Sequence, residues 1–362
     1  MAKRSSLFAE HERRQALMIE QDGWLLPDHF GNPAAEYKAV QIGAGIFDLS
    51  HRAMLQFTGS DRLSFLQGML SNDLRPLKMF EGQQATILTQ QGKVIADARV
   101  LCAMNSIYLD FWEFLKEKII AHLNRYLVAD EVEIHDPNQE WKMLSLQGPR
   151  APTILAELFA NGELPAQADH HGMVQFDGAP VCVVYADRSG YDGFDIIAQA
   201  GQLLTMVQRL AALGATWVGA RAQDILRIEA GMPRYGVDFN EDHLLLEVGL
   251  DDSYSYTKGC YLGQEVVERI RSRGHVNRKL CGLLLDGNTP ANAADRIVKD
   301  DKEVGQVTSS VVSLALNRPI ALGYIHKDFW APGTKLSVRR ENESIAATVT
   351  ALPFVSPSTR ST

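Results

Sequence analysis

The stretch Arg227-Ile-Glu-Ala-Gly-Met-Pro-Arg-Tyr-Gly236, with Lys258-Gly-Cys-Tyr-Leu-Gly-Gln-Glu265 following it, is where this chain stops reading as generic. Upstream, Ala222 to Ala230 has the pattern of a helix, with Ile225, Leu226 and Ile228 on its apolar side and Asp224, Arg227 and Glu229 as its polar groups. Gly231 ends it and Pro233 prevents its resumption. Next come Asp238, Glu241, Asp242, Glu247, Asp251 and Asp252, in a span without Lys or Arg, and beyond the second motif the cations Arg269, Arg271, Arg273, Arg278 and Lys279.

On the N-terminal side, helical and extended patterns alternate. Pro33 to Gly43, Ser60 to Leu70, Glu113 to Leu127 and Gln202 to Leu213 read as helices, with Ser60 as a candidate N-cap. Gln84–Leu88, Val94–Leu101, Ile107–Phe111, Trp141–Leu146, Val181–Tyr185 and Phe194–Ile197 read as short strands between turns. Short, turn-separated strands favour an α+β fold with antiparallel sheets over a doubly wound parallel sheet. No glycine-rich loop joins a strand to a helix as a dinucleotide or P-loop site requires. From about residue 278 the helical signals cease. Leu280–Leu285, Val304–Val312, Ile320–Ile325, Lys335–Arg339 and Ile345–Leu352 are strand-like, so 278–355 reads as a small all-β barrel and 356–362 as a flexible tail.

Composition narrows the possible functions. Of 362 residues 46% are hydrophobic and 22% charged, values of an ordinary globular chain. No apolar run exceeds Val181–Ala186, so a membrane-spanning helix is not expected, nor is a secretory signal peptide, because Glu10-His-Glu-Arg-Arg interrupts the start. The net charge of −8 disfavours duplex nucleic acid as a general partner. Cys102, Cys182, Cys260 and Cys281 form no C-x-x-C pair, which argues against a metal site and for a reducing, cytoplasmic setting.

The Arg227–Gly236 stretch resembles the glycine-cleavage T-protein, the tetrahydrofolate-dependent aminomethyltransferase family. Gly45-Ile-Phe-Asp-Leu-Ser-His51, Phe65-Leu-Gln with Asn72-Asp-Leu, Gln147-Gly-Pro149, Gly305-Gln-Val-Thr-Ser-Ser and Ile320-Ala-Leu-Gly-Tyr324 continue the resemblance in order along the chain. Transferase members carry Lys-Gly-Asp where this chain has Lys258-Gly-Cys260. The cysteine form is similar to the YgfZ branch, folate-binding proteins linked to iron–sulfur protein maintenance and tRNA modification. The resemblance implies two interleaved α+β subdomains over 1–277 and a C-terminal β-barrel, in a cloverleaf around a folate channel.

It also implies site residues. Asp97 falls where transferases place a carboxylate near the folate amines, although the acid that precedes it in the family is Ala96 here. Asp195, in Tyr191-Asp-Gly-Phe-Asp195, matches the pterin-binding carboxylate in a shortened loop, and Arg227 matches the folate-site arginine. Tyr191 and Lys258 join these as cofactor-binding candidates, and Cys260 joins Asp97 as a catalytic candidate. A thiol near a helix start with Lys258 two residues away is expected to be the reactive one. Each has a plainer reading: a solvated carboxylate, a turn, a surface arginine, a packed thiol. Arg227 and Asp195 are expected at the site surface, so their loss should spare the unliganded fold. In the basic run, Glu265 and Arg269 are spaced for a helical pair. Arg271, Arg273 and Arg278 have no such partner in sequence and would meet a polyglutamate tail, tRNA or an acidic iron–sulfur partner.

The resulting expectation is a monomeric tetrahydrofolate-binding protein, loaded with folate or a one-carbon derivative, that supports iron–sulfur assembly or repair and tRNA modification. The alternatives are a folate-dependent aminomethyl or methyl transferase and a scaffold that does not use folate.

Overall fold

The computed structural model describes residues 2–160, 162–340 and 343–356; the side chain of Arg273 and all but the first residue of the expected tail lie outside what is described. The chain is α+β, as expected, and ends in a closed barrel.

Two sheets form the N-terminal region, and the chain threads both from its start. Gly45–Asp48 lies in a six-stranded sheet with Trp141–Gln147, His171–Phe176, Ala179–Tyr185, Gly193–Gln199 and Thr216–Trp217. Four residues later, Arg52–Thr58 enters a five-stranded sheet with Gly82–Leu88, Val94–Cys102, Ile107–Trp112 and Glu133–His135. This crossing interleaves the two subdomains. Pairing is antiparallel throughout both sheets, except where Thr216–Trp217 runs parallel to Gly45–Ile46. Val94–Cys102 is almost continuously apolar and buried because both of its faces are covered, so strict alternation is absent there.

Helices cover the sheets for reasons visible in the sequence. In Leu203–Ala212 the buried residues Leu203, Met206, Val207 and Leu210 recur at helical spacing and join the core of the six-stranded sheet. Asn32 caps Pro33–Ile42 by accepting from the Ala34 and Ala35 amides. Ser60 does not cap its helix: Arg62–Met69 starts one residue late, and the Ser60 hydroxyl donates to Glu131 instead. Glu113 to Leu127 also shortens, to a 3-10 turn and the α-helix Lys116–Asn124.

The barrel runs Arg278–Leu285, Arg318–His326, Lys302–Ser313, Arg296–Lys299, Lys335–Arg340, Glu343–Thr350 and back to the first strand. The short strand Arg296–Lys299 and the N-terminal sheet of Lys3–Arg4, Trp24–His29 and Leu17–Gln21 gave no usable pattern in sequence. The helix Ala220–Glu229 ties the units together. Its Glu229 accepts from Tyr37 Oη (2.6 Å) on one side and from Ser313 Oγ (2.5 Å) in the barrel on the other. The helix Gln264–Arg273 docks on the Gln90–Lys93 turn through two glycines. A Cβ on Gly92 would stand 2.9 Å from Val266 Cβ, and one on Gly263 2.5 Å from the Thr89 carbonyl. Both glycines also adopt positive φ, so an L side chain there is strained as well as crowded.

Candidate functional site

Between the two sheets, the Ala220–Glu229 helix and the barrel end lies a cavity of about 720 Å³. Its wall includes Phe47, Asp48, His51, Arg52, Asp97, Asp110, Trp112, Arg188, Arg227 and Arg234. That volume is in the range of small-molecule and cofactor sites.

The five-stranded sheet supplies one wall through its register. Arg52 pairs with Trp112 and Arg99 with Asp110, which brings the ends of three neighbouring strands to the same edge. Asp97, two residues before Arg99, is half-buried there, and its Oδ1 is shut off from solvent with no hydrogen-bond partner among the described residues. Burial raises its pKa, and the nearby Arg52 opposes that rise. A carboxyl group left without a partner at a cavity wall costs stability and is available to a ligand's N–H.

Next to it, charges interlock. Arg52 Nε donates to Asp110 Oδ1 (2.8 Å); Arg188 Nη2 reaches Asp110 Oδ2 (2.9 Å) and Asp195 Oδ2 (2.6 Å); Arg99 Nη1 reaches Asp195 Oδ2 (2.6 Å). Burial pushes Asp110 and Asp195 up, but these guanidiniums prevail and keep both low and ionised. His51 is stacked on Trp112 (5.2 Å between ring centres, 26° between planes), and its Nδ1 has no partner among the described residues. Burial, aided by Arg234, pushes its pKa down to about 3, so the ring is neutral.

The sequence-derived residues distribute unevenly around this cavity. Asp97 and Arg227 are in its wall; Asp195, Tyr191, Lys258 and Cys260 are not. Asp195 is fully buried and held by Arg99 and Arg188, not at a site surface. Arg227 is also buried, and all three of its guanidinium nitrogens are engaged. Nε meets Asp224 (2.7 Å), Nη1 meets Asp238 (2.5 Å) and the Met232 carbonyl (3.3 Å), and Nη2 meets Ser309 Oγ (2.7 Å). Tyr191 packs at the edge of the cluster around Tyr37 and Leu226. The Lys258 ammonium turns inward to the carbonyls of Gln67 (2.7 Å), Leu70 (2.5 Å) and Asn72 (2.8 Å), and burial pulls its pKa down to about 8. It thus staples its loop to the helix Arg62–Met69, and its polar contacts are not with Cys260. Cys260 itself is exposed, four residues ahead of the helix that starts at Gln264.

The basic run is partly paired. Among the described residues Glu265 and Arg269 form no ion pair. Arg271 instead meets Glu268 (3.5 Å) and lies over the Tyr256 ring (4.4 Å). Arg278 meets Glu247 (3.3 Å), a partner 31 residues away that no helical spacing reveals. No group of three or more His, Cys, Asp or Glu suited to a metal ion occurs among the described residues. No helix there is long and apolar enough to cross a membrane.

Sequence reasoning missed His51, Arg52, Arg188 and Trp112. Only His51 carried a signal, as the end of the Gly45–His51 motif.

Residues 7–258 match the GCVT N-terminal domain and residues 278–356 the glycine cleavage T-protein C-terminal barrel domain. The chain belongs to the glycine-cleavage T-protein family. An aminomethyltransferase of Rubrobacter xylanophilus is 30% identical over 97% of this chain and 94% of its own. A protein of Arabidopsis thaliana named as a putative chloroplastic transferase is 29% identical over 93% of this chain and 77% of its own. The T-protein fold is matched by the crystal structure of aminomethyltransferase T from Bartonella henselae, with a TM-score of 0.92 and 23% identity over 99% of both chains.

Proposed function

We propose that the central cavity binds tetrahydrofolate or a one-carbon derivative, and that the protein transfers a one-carbon unit at Asp97 in the manner of a T-protein aminomethyl or methyl transferase. The observation that carries this reading is Asp97 itself, a carboxyl group in the wall of a ligand-sized cavity whose Oδ1 is buried and, among the described residues, unpartnered. The residues suit a reduced folate: Asp97 offers an acceptor for N–H groups, and arginines a match for the anionic tail. Bound folate would supply the amine that carries the one-carbon unit. Asp97 would hold a proton-bearing amine in place, and its burial keeps bulk water from its Oδ1. The kinship with proteins named aminomethyltransferase supports transfer over passive binding.

A second reading, service to iron–sulfur proteins or tRNA in the manner of the YgfZ branch, is supported by one observation. Cys260, in its Lys258-Gly-Cys motif, is exposed and outside the cavity wall, where it is accessible to a macromolecular partner.

Titration calorimetry with tetrahydrofolate tests the shared premise. Saturable binding that Asp97→Asn weakens supports it, and no binding up to millimolar ligand overturns it. Ammonia release from an aminomethyl-lipoyl carrier protein then separates the readings. Turnover near 10 per second marks a transferase, and background release with intact folate binding favours the second.

A further inference from the structure

The cavity wall contains five cations, Arg52, Arg99, Arg188, Arg227 and Arg234, which differ in what their guanidiniums have left to give. Arg227 has all three nitrogens engaged, as described above. Arg99 commits Nε to Asp169 (2.7 Å) and Nη1 to Asp195, and Arg188 commits Nε and Nη2 to Asp195 and Asp110. Arg234 binds Asp22 through Nη2, and the Gln21 amide oxygen, turned toward it, takes both terminal nitrogens. Arg52 is the exception. Among the described residues it donates only through Nε, to Asp110, so both terminal nitrogens remain uncommitted on a side chain 6% exposed.

Its setting is prepared for an anion. The Arg52 and Arg234 guanidinium carbons each lie 5.0 Å from the centre of the Trp112 ring, and neutral His51 is stacked on the same indole. Arg234 Nε is buried without a partner among the described residues, a second donor in want of an acceptor. Arg52, Arg99 and Arg188 are matched by Asp110, Asp195 and Asp169, and Asp97 stands near Arg52, so what Arg52 has to offer a ligand is its two uncommitted donors and not an unbalanced charge. Two free parallel N–H donors on a fixed, dry guanidinium match a carboxylate.

We infer that Arg52, set on Trp112 beside Arg234, receives a carboxylate of the folate tail, a group the sequence reading offered to Arg271, Arg273 and Arg278. This rests on the folate reading and names the group that recognises the ligand's charge. Arg227 is then a structural tie between its helix, Asp238 and the barrel.

The test compares tetrahydrofolate with its glutamate diamide, a neutral isostere, by titration calorimetry on the full-length protein. Wild type should prefer the acid by about 10- to 100-fold, the effect of a charge-assisted pair. Arg52→Gln should abolish the preference, bringing acid and diamide to equal affinity. Arg52→Lys, which keeps the charge near Asp110 but loses the fork, should retain a preference of a few-fold, and circular dichroism should show both variants folded. Equal affinity of wild type for acid and diamide, or a preference that survives Arg52→Gln, overturns the assignment to Arg52 alone. Failure of wild type to bind either compound overturns the folate reading and the assignment with it.

Discussion

Arg227 Nη1 and Asp238 Oδ2 meet at 2.5 Å inside the protein, where the helix Ala220–Glu229 abuts the barrel. Asp238 also accepts from Thr308 (2.5 Å) and Ser309 (2.7 Å), so both ends of the pair are enclosed in hydrogen bonds that cross the domain junction.

Arg227→Ala is therefore expected to destabilise the unliganded protein by about 3–5 kcal/mol, because it leaves the Asp238 carboxylate buried without its cation. The sequence reading expected the opposite, an unchanged apo stability. Denaturant unfolding without ligand checks this, and a midpoint within error of wild type would refute it.

Asp97→Asn should separate stability from function. Burial raises the Asp97 pKa, so folding above the ordinary carboxylate range costs stability that a neutral amide does not pay. The variant should unfold at an equal or higher temperature and bind folate more weakly. A clearly lower melting temperature would show that the carboxylate supports the fold.

Cys260 should react first with iodoacetamide at neutral pH. It is exposed, whereas burial pushes the Cys182 thiol up to about 12, the Cys281 thiol up to about 11, and raises Cys102. Mass spectrometry of a short labelling time course should show Cys260 modified well ahead of the others. Cys260→Ser should cost no more than about 1 kcal/mol; failure of that stable variant to restore iron–sulfur enzyme activity in cells would favour the second functional reading.

Acid should weaken the fold below pH 6.5, in part through His171. Its ring is buried against Phe80, its Nδ1 has no partner among the described residues, and burial brings its pKa down to about 4. The unfolded chain then takes up a proton near pH 6.5 that the folded chain refuses until about pH 4, so stability is complete above that window and lost as pH falls through it. His51 acts in the same direction over a wider window. Unfolding free energies from urea titrations at pH 7 and pH 5 should differ by about 2 kcal/mol less in His171→Gln than in wild type. An unchanged difference would exclude His171 as a source of the acid sensitivity.

The sequence alone determined what depends on near neighbours and on order along the chain. The spacing of Leu203, Met206, Val207 and Leu210 gives a helix whatever it packs on, and the loss of helical signal after Arg278 announces the barrel. The ordered motifs, from Gly45–His51 to Ile320–Tyr324, named the family, and placed Asp97, which the fold carries to the cavity. Tertiary structure alone decided which charges are spent. Arg227 and Asp238 are eleven residues apart, Arg99 and Asp195 ninety-six, and Lys258 closes on carbonyls nearly two hundred residues upstream. No periodicity links such partners, and a guanidinium's capacity for a ligand is what remains after every neighbour in space has been served. The same rule hid Arg52 and Trp112, which neighbouring strands bring together at one sheet edge.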